Sequence, residues 1–263
     1  MILLGLMLSG SWDTAKTLRN DQDVTYAMPA RREAVRQLVA DLLSGALPPE
    51  QANGQAAGLT LQVDEEFVQL SGGGTFVRIR RAAGDGVVLQ APHGFYDGKT
   101  GIIAGRLFDA GYGQVLMVNT VHRYRGDKDA EHDPADVAHL SESTFQSATL
   151  GAAQGLDDAL VVQLHGFAER DNNPGLAIVA SSGSALQPSV TVDRAVRTLG
   201  VFGPVLSGDD LPALSGSQNV QGRALSGSAR FLHLELSPST RATLSDDEER
   251  LRALGDILQA LSR

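Results

Sequence analysis

Short apolar strands alternate with helices after Val87, and this alternation restricts the possible folds more than any other feature of the sequence. Periodicity predicts strands at Val87–Ala91, Gln114–Asn119, Ala159–Leu164, Leu176–Ala180 and Arg230–Leu236. It predicts helices at Thr100–Ala110, Ser141–Gly155, Ser189–Leu199 and Asp246–Leu261. Apolar strands between helices are typical of a mixed, mostly parallel sheet that is covered on both faces. The sequence therefore predicts an α/β fold with three α/β/α layers.

The first 83 residues follow different patterns. Apolar residues recur at helical spacing in Pro29–Pro48, with Gly45 near the end of that segment. Alternating apolar and polar residues on both sides of Gly72–Gly74 predict a hairpin over Glu65–Arg81. We interpret residues 1–83 as an N-terminal segment that is part of, or packed on, a main domain formed by residues 84–263.

Charge and cysteine content exclude several functional classes. The formal net charge of −9 argues against a nucleic-acid binder, because phosphate contacts require a basic surface. The chain has no cysteine, which excludes disulfides, iron–sulfur clusters, thiol nucleophiles and cysteine-based zinc sites. A catalytic metal would have to be held by His, Asp and Glu, and this ligand chemistry favours Zn2+.

The N-terminal stretch MILLGLMLSGSW leaves the cellular compartment open. Its apolar part is too short to span a bilayer, and it lacks the basic region of a signal peptide. It fits a β-strand or the end of a signal peptide that begins upstream, so both a cytoplasmic and an exported protein are compatible with it. No later segment approaches transmembrane length, and the oligomeric state is also left open.

Titratable side chains stand at the ends of three predicted strands. The first strand leads into His93, the third leads into His165, and the last carries Glu235 near its end. Asp97 follows His93 by four residues. Because ligands of such sheets bind beyond the carboxyl ends of the strands, we expect these side chains to meet in one site.

Two imidazoles and one carboxylate form the ligand set of hydrolytic zinc sites, in which a fourth position is open to water. The metal lowers the pKa of that water and polarises the carbonyl group under attack. A second carboxylate must then accept and return a proton, and Glu235 is the candidate for this role. The alternation in FLHLELS places His233 and Glu235 on the face opposite three leucines, so this glutamate needs a cavity, a partner or solvent.

Each of these residues also has an ordinary structural interpretation. His93 and His165 fit hydrogen-bonded histidines without a metal. Asp97 in YDGKTG is equally typical of a turn or of the N-cap region of the next helix. Three further histidines are interpreted as loop or helix-cap residues, namely His122, His132 and His139.

The order of the motifs resembles the phosphorylase/hydrolase-like fold of zinc carboxypeptidases. The shared pattern is His-x-x-x-carboxylate, then QLHGFAE, then HLELSP. More closely, APHGFYDGKTG, AHLSESTFQSA and NVQGRALSG resemble the N-formylglutamate amidohydrolase and poly-γ-glutamate hydrolase branch, over the range Val87–Arg241. The resemblance implies that His93, Asp97 and His165 bind zinc and that Glu235 is the general base.

The spacing of Asp97 departs from that pattern. Zinc carboxypeptidases usually have His-x-x-Glu, whereas this chain has His-x-x-x-Asp. A shorter side chain after one extra backbone residue can still reach a shared metal. Glu142 and Glu169 are the other carboxylates to consider as the third ligand.

Arginines near the predicted strand ends indicate an anionic substrate. In amidases of this kind arginine holds the substrate, and arginine can also stabilise a developing oxyanion. Arg123 is the candidate for the catalytic role and Arg125 for substrate binding. Asn219 and Arg223 resemble the Asn/Arg pair that binds a terminal carboxylate in carboxypeptidases. The structural alternative for any of these arginines is a solvated surface charge.

The sequence thus predicts a zinc-dependent amidohydrolase or peptidase that uses metal-activated water. The expected substrate is an N-acyl amino acid, a γ-glutamyl compound or a peptide-like molecule with a carboxylate. The alternative is a non-catalytic ligand-binding module with a degenerate metal site. A serine esterase is a weaker alternative, because the nearest serine motif, ASSGSA at Ala180–Ala185, lacks the Gly-x-Ser-x-Gly elbow. The exact amide and the choice between exo and endo cleavage are left open.

Overall fold

A computed structural model describes residues 10–19, 29–125, 133–169, 173–184, 190–225 and 229–263. Within these ranges the strands are β1 Thr60–Val63, β2 Phe67–Gly72, β3 Thr75–Arg80, β4 Val87–Ala91, β5 Val115–Asn119, β6 Leu160–Gly166, β7 Ile178–Ser181, β8 Val205–Ser207 and β9 Arg230–Leu236. The α-helices are α1 Ser11–Thr17, α2 Pro29–Ser44, α3 Thr100–Asp109, α4 Thr144–Gly155, α5 Val190–Thr198, α6 Val220–Leu225, α7 Pro238–Asp246 and α8 Glu248–Ser262. Short 3-10 helices lie at Pro49–Gln51, Leu199–Phe202 and Pro212–Leu214.

The strands form one mixed sheet in the order β1-β2-β3-β5-β4-β6-β9-β7-β8. The central strands β5, β4, β6 and β9 are parallel to one another, and β7 is parallel to β8. The pairs β1–β2, β2–β3, β3–β5 and β7–β9 are antiparallel. The predicted mixed α/β sheet is therefore confirmed, with its parallel pairing concentrated at the centre.

Alternate residues of the central strands face two different hydrophobic cores. Leu89 and Val162 belong to the core that includes residues of α3, α5, α7 and α8. Val88 and Val161 belong to the core that includes residues of α2 and α4. Burial on both faces explains why the sequences of β4, β5 and β6 begin with continuous apolar runs.

Capping residues set where several helices begin. The Ser143 side chain accepts a hydrogen bond from the Gln146 amide, so α4 begins three residues later than predicted. Ser237 caps α7, a helix the sequence analysis did not predict, and Pro238 occupies its first position. Asp247 separates α7 from α8 and caps α8, which begins two residues after the predicted start at Asp246.

The N-terminal segment contributes to the same sheet. The predicted hairpin is confirmed as β2 and β3, and β1 adds a third antiparallel strand. β3 pairs with β5 of the main domain, and α2 packs on α4. The boundary after residue 83 stays a prediction, and the apolar stretch at residues 1–9 lies outside the described residues, as does His132.

The carboxyl ends of the central strands place the candidate residues. His93 follows β4 by two residues, whereas His165 lies inside β6, one residue beyond the predicted end of that strand. Glu235 of β9 is the register partner of His165. Among the helices in the described ranges, none has the length and hydropathy needed to cross a membrane.

Candidate metal centre

His93, Asp97 and His165 meet at this edge of the sheet. Oδ2 of Asp97 lies 3.3 Å from Nδ1 of His93 and 3.3 Å from Nδ1 of His165. The Asp97 amide donates to the His93 carbonyl over 2.8 Å, and this tight turn brings the two side chains together although they are four positions apart in the chain. All three residues are buried. The predicted ligands therefore form one cluster.

The other ring nitrogen of each histidine faces an oxygen. Nε2 of His93 lies 2.8 Å from Oδ1 of Asp136, and Nε2 of His165 lies 2.8 Å from Oε1 of Gln163. A proton on each Nε2 satisfies both oxygens and leaves the Nδ1 lone pairs directed at Asp97. This is the arrangement in which histidines bind metals, with the second nitrogen held by an outer acceptor.

Burial and neighbouring groups set the protonation of the cluster. Burial lowers the pKa of His165 to about 4, so this imidazole is neutral at pH 7. Burial opposes the charge of Asp97, but the neighbouring imidazoles of His165 and His93 hold the pKa of this carboxyl well below its usual range. Burial also opposes a charge on His93, yet the neighbouring carboxylates of Asp136 and Asp97 raise its pKa. Two nitrogens and one ionised carboxylate, all buried, fit the donor set of zinc.

Glu235 has a carboxylate oxygen without a partner. Its side chain is 15% exposed, and Oε2 forms no hydrogen bond among the described atoms. Burial, reinforced by the negative charge of Asp97, raises the pKa of Glu235 to about 8. Glu235 lines the same cavity as Asp97 and His165, which has a volume of about 300 Å³. A carboxyl group with a raised pKa beside the candidate metal ligands is suited to accept a proton.

A second group of metal-binding atoms overlaps the first. The side-chain donors of His165, His233 and Glu235 all lie within 4.8 Å of one another. The rings of His165 and His233 are 4.5 Å apart, and Nε2 of His233 lies 3.8 Å from Oε1 of Glu235. Both groups require His165, so they are alternatives for one ion. His233 was not predicted as a site residue, although the FLHLELS alternation already placed it beside Glu235.

Arg123 lies between the cluster and the cavity. Its Nη1 donates to Nδ1 of His93 over 3.1 Å, and its Nη2 donates to Oδ2 of Asp136 over 2.5 Å. The guanidinium also lies over the rings of Tyr96 and Tyr124, at 5.5 and 5.2 Å from their centres. The guanidinium of Arg123 therefore contacts Nδ1 of His93, the nitrogen that a metal would use. A bound metal would replace that hydrogen bond.

The other predicted substrate-binding residues lie elsewhere. Among the described residues, the cavity lining includes Arg123 but not Asn219, Arg223 or Arg125. Asn219 is buried and donates to Gln163, while Arg223 and Arg125 are exposed. Substrate binding by these three residues stays a prediction.

Glu142 and Glu169, the alternative candidates for the third ligand, are exposed and contact other groups. Glu142 pairs with Arg32 at 3.6 Å, and Glu169 accepts a hydrogen bond from the Gly175 amide at 3.1 Å. The hydroxyl of Ser181 donates to the Ser215 carbonyl, so its proton points away from Nδ1 of His233, which lies 3.4 Å from the same oxygen. Within the described ranges, Asp97 is thus the carboxylate that faces both ring nitrogens.

Asp136 and Gln163 are the important residues that the sequence analysis missed. Asp136 binds His93, Arg123 and His139, the last through Oδ2 at 3.0 Å from Nδ1. Its only sequence signal is its place at the end of a long charged loop before α4. Gln163 stands two residues before His165 and therefore on the same face of β6, which is a signal that period-2 counting provides.

The cavity lining includes two tyrosine rings and an apolar cluster. Tyr96 and Tyr124 form an edge-to-face pair with ring centres 4.8 Å apart, and both rings are about half exposed. The lining also includes an apolar cluster formed by Phe167, Leu211 and Leu214. Exposed aromatic rings beside a polar floor are typical of a ligand site.

Comparison with solved structures finds distant similarities. N-formylglutamate amidohydrolase from Ralstonia eutropha JMP134 is 14% identical, covering 72% of this chain and 95% of its own, with a TM-score of 0.44. A bacteriophage poly-γ-glutamate hydrolase is 16% identical, covering 72% and 87%, with a TM-score of 0.42. Succinylglutamate desuccinylase from Chromobacterium violaceum is 13% identical, covering 86% and 73%, with a TM-score of 0.46.

No model of a protein family matches the chain, and no curated protein matches it. The first two solved structures carry the names of the branch that the sequence motifs resemble. Similarities as distant as these assign no activity, so the function has to be argued from the side chains of the site.

Proposed function

We propose that this protein is a zinc-dependent hydrolase that cleaves an amide bond. His93, Asp97 and His165 would hold the metal through Nδ1, Oδ2 and Nδ1. The observation that carries the proposal is the convergence of both Nδ1 atoms on one buried carboxylate oxygen, with each Nε2 already bound to an acceptor. A bound zinc ion supplies a Lewis acid that polarises the amide carbonyl and lowers the pKa of a water molecule.

Glu235 is the residue that moves the proton. Its unpartnered Oε2 and its raised pKa make it a carboxylate that accepts a proton from the attacking water. The same group then delivers that proton to the leaving amine. Because Glu235 and His165 are register partners on adjacent strands, the base is held beside the metal ligands by the sheet itself.

Arg123 is the cation beside the reacting carbonyl. Its ion pair with Asp136 and its position over two tyrosine rings hold the guanidinium at the cavity wall. From there it can stabilise the negative charge that develops on the carbonyl oxygen or bind a substrate carboxylate. The sequence resemblance supports an N-acyl amino acid, γ-glutamyl or peptide-like substrate. The tyrosine rings and the apolar cluster in the cavity lining favour substrates with an apolar group next to the amide.

The first experiment is the metal content of the purified protein by elemental mass spectrometry, for the wild type and for His165→Ala. We expect about one zinc per chain in the wild type and a large loss in the variant. N-acyl amino acids and γ-glutamyl amides would then be screened with Glu235→Gln as the matched variant. Glu235→Gln should keep the metal and lower turnover by about 10²–10⁴-fold.

A different outcome would favour the ligand-binding module. If neither protein takes up zinc after reconstitution, the histidines are structural and the proposal fails. If zinc binds but Glu235→Gln retains full turnover, the metal site stands and the assigned base is wrong.

A further inference from the structure

A chain of buried amides runs from His165 along one face of the sheet to α4. Gln163 and Gln90 are register partners on β6 and β4, and both are fully buried. Nε2 of Gln163 donates to Oε1 of Gln90 over 2.9 Å, and Nε2 of Gln90 donates to Oγ1 of Thr149 over 2.8 Å. Two more amides join the chain, those of Asn219 and Gln221. Burying a chain of polar side chains costs free energy unless every group is hydrogen-bonded. The presence of this chain next to His165 therefore indicates a specific role.

The direction of each amide is fixed by a backbone group at the end of the chain. The Thr149 hydroxyl donates to the Phe145 carbonyl over 2.9 Å, so it can only accept from Gln90. Gln90 must therefore turn its oxygen towards Gln163. This first anchor already requires the nitrogen of Gln163 to face away from His165.

Two further backbone groups fix the Gln163 amide in the same orientation. Nε2 of Gln221 donates to the Val137 carbonyl over 2.9 Å, which leaves its oxygen facing Gln163. Oδ1 of Asn219 accepts from the Gly222 amide over 3.0 Å, which leaves its nitrogen facing Oε1 of Gln163. A flipped Gln163 would place oxygen against oxygen at two contacts and nitrogen against nitrogen at a third.

We propose that Gln163 is a positioning residue that fixes the tautomer of His165. Because three backbone anchors force its oxygen towards Nε2 of His165, that nitrogen must carry the proton. The lone pair of His165 is then confined to Nδ1, the atom that lies 3.3 Å from Asp97. The imidazole is thus prepared for a metal before the metal arrives. This inference rests on the proposed function for its purpose, but the tautomer can be measured without any metal.

The test begins with the chelator-treated wild-type protein labelled with ¹⁵N in its histidines. The two ring nitrogens of His165, assigned by comparison with His165→Gln, should appear as a proton-bearing Nε2 and a bare Nδ1 at neutral pH. Finding the proton on Nδ1 would overturn the proposal, and this measurement needs no variant in the amide chain.

Gln163→Met then removes the acceptor, and Gln90→Met serves as the matched control one step further along the same buried chain. We expect Gln163→Met to populate the other tautomer and to weaken zinc binding by about 10–100-fold, measured by chelator competition. Gln90→Met should lower the midpoint of unfolding but keep the tautomer and the zinc affinity. Wild-type tautomer and affinity in folded Gln163→Met, or an equal loss of affinity in Gln90→Met, would overturn the proposal. A wild type that binds no zinc would refute the proposed function, whereas the tautomer result would still decide the role of Gln163.

Discussion

Oδ1 of Asp136 lies 2.8 Å from Nε2 of His93, and this contact ties the long loop after β5 to the turn after β4. Asp136 also forms the ion pair with Arg123, so one carboxylate orients a predicted metal ligand and the cation beside it. The loop therefore belongs to the site although none of the predicted ligands comes from it.

Asp136→Asn should weaken zinc binding. The substitution keeps the shape of the side chain but replaces a charged acceptor with a neutral one, and outer acceptors of metal-binding histidines contribute about 10–100-fold in affinity. Chelator competition measures the change. Asp133→Asn is the matched control, because Asp133 accepts only from the Ala135 amide within the described contacts, and asparagine can do the same. Equal losses in both variants would mean that loop structure, and not the contact to His93, controls the affinity.

Two substitutions separate the overlapping groups of ligands. His93→Ala should abolish stoichiometric zinc binding, because His93 belongs only to the group that contains Asp97. His233→Ala should keep about one zinc per chain, because His233 belongs only to the group that contains Glu235. Elemental mass spectrometry of both purified variants measures the ratio. The reverse pattern would place the ion on Glu235 and remove that residue as the base.

Arg123→Met should separate metal binding from turnover. Removing the guanidinium takes a positive charge and a competing donor away from Nδ1 of His93, so zinc affinity should stay equal or rise. Turnover should fall by about 10²–10³-fold, the usual effect of losing one group that stabilises an oxyanion. Arg252→Met, which changes an exposed arginine of α8, is the control. A loss of zinc in Arg123→Met would show that the arginine supports the ligands and does not act on substrate.

The sequence predicted the centre of the sheet and the group of His93, Asp97 and His165 because both depend on short-range patterns. Short strands of five to seven residues form β4, β6 and β9, and parallel pairing brings their carboxyl ends to the same edge of the sheet. The strand pattern alone therefore predicts that His93, His165 and Glu235 lie at one edge of the sheet. Asp97 joined them because a tight turn needs only local hydrogen bonds.

The missed features depend on long-range contacts. Asp136 reaches His93 across 43 positions of the chain, and no periodic pattern records such a contact. Asn219 was predicted to bind substrate because of its resemblance to an Asn/Arg pair, yet its side chain donates to Gln163 behind His165. β1 and β8 were missed because strands of three or four half-exposed residues carry almost no hydrophobic signal.

Gly151→Ala should destabilise the protein. Gly151 of α4 lies against α2, and a Cβ atom there would come 2.4 Å from the Arg36 carbonyl oxygen. Because that atom is backbone, one helix must shift, which should lower the free energy of unfolding by about 1–3 kcal/mol in a denaturant titration. Gly200→Ala is the control, since a Cβ at Gly200 meets nothing within 4 Å. An unchanged midpoint for Gly151→Ala would contradict the close packing of α2 on α4.

Glu235 should make the stability of the metal-free protein depend on pH. Burial raises its pKa from an ordinary 4.5 to about 8, so the folded state holds the proton more tightly than the unfolded chain does. The free energy of unfolding should therefore fall as the pH rises from about 4.5 to about 8, by at most about 1.4 kcal/mol per pH unit from this group. Denaturant titrations at several pH values, with a chelator present throughout, measure the slope.

Glu235→Gln isolates this contribution, because glutamine has a similar shape and no titrating proton. The difference in unfolding free energy between the variant and the wild type should be smallest near pH 4.5 and should grow in favour of the variant towards pH 8. Zinc should reverse the trend in the wild type, since a cation in the cluster stabilises the ionised carboxylate. Parallel pH profiles for the two metal-free proteins would mean that Glu235 ionises normally when folded. It would then lack the raised basicity on which its assignment as the proton acceptor depends.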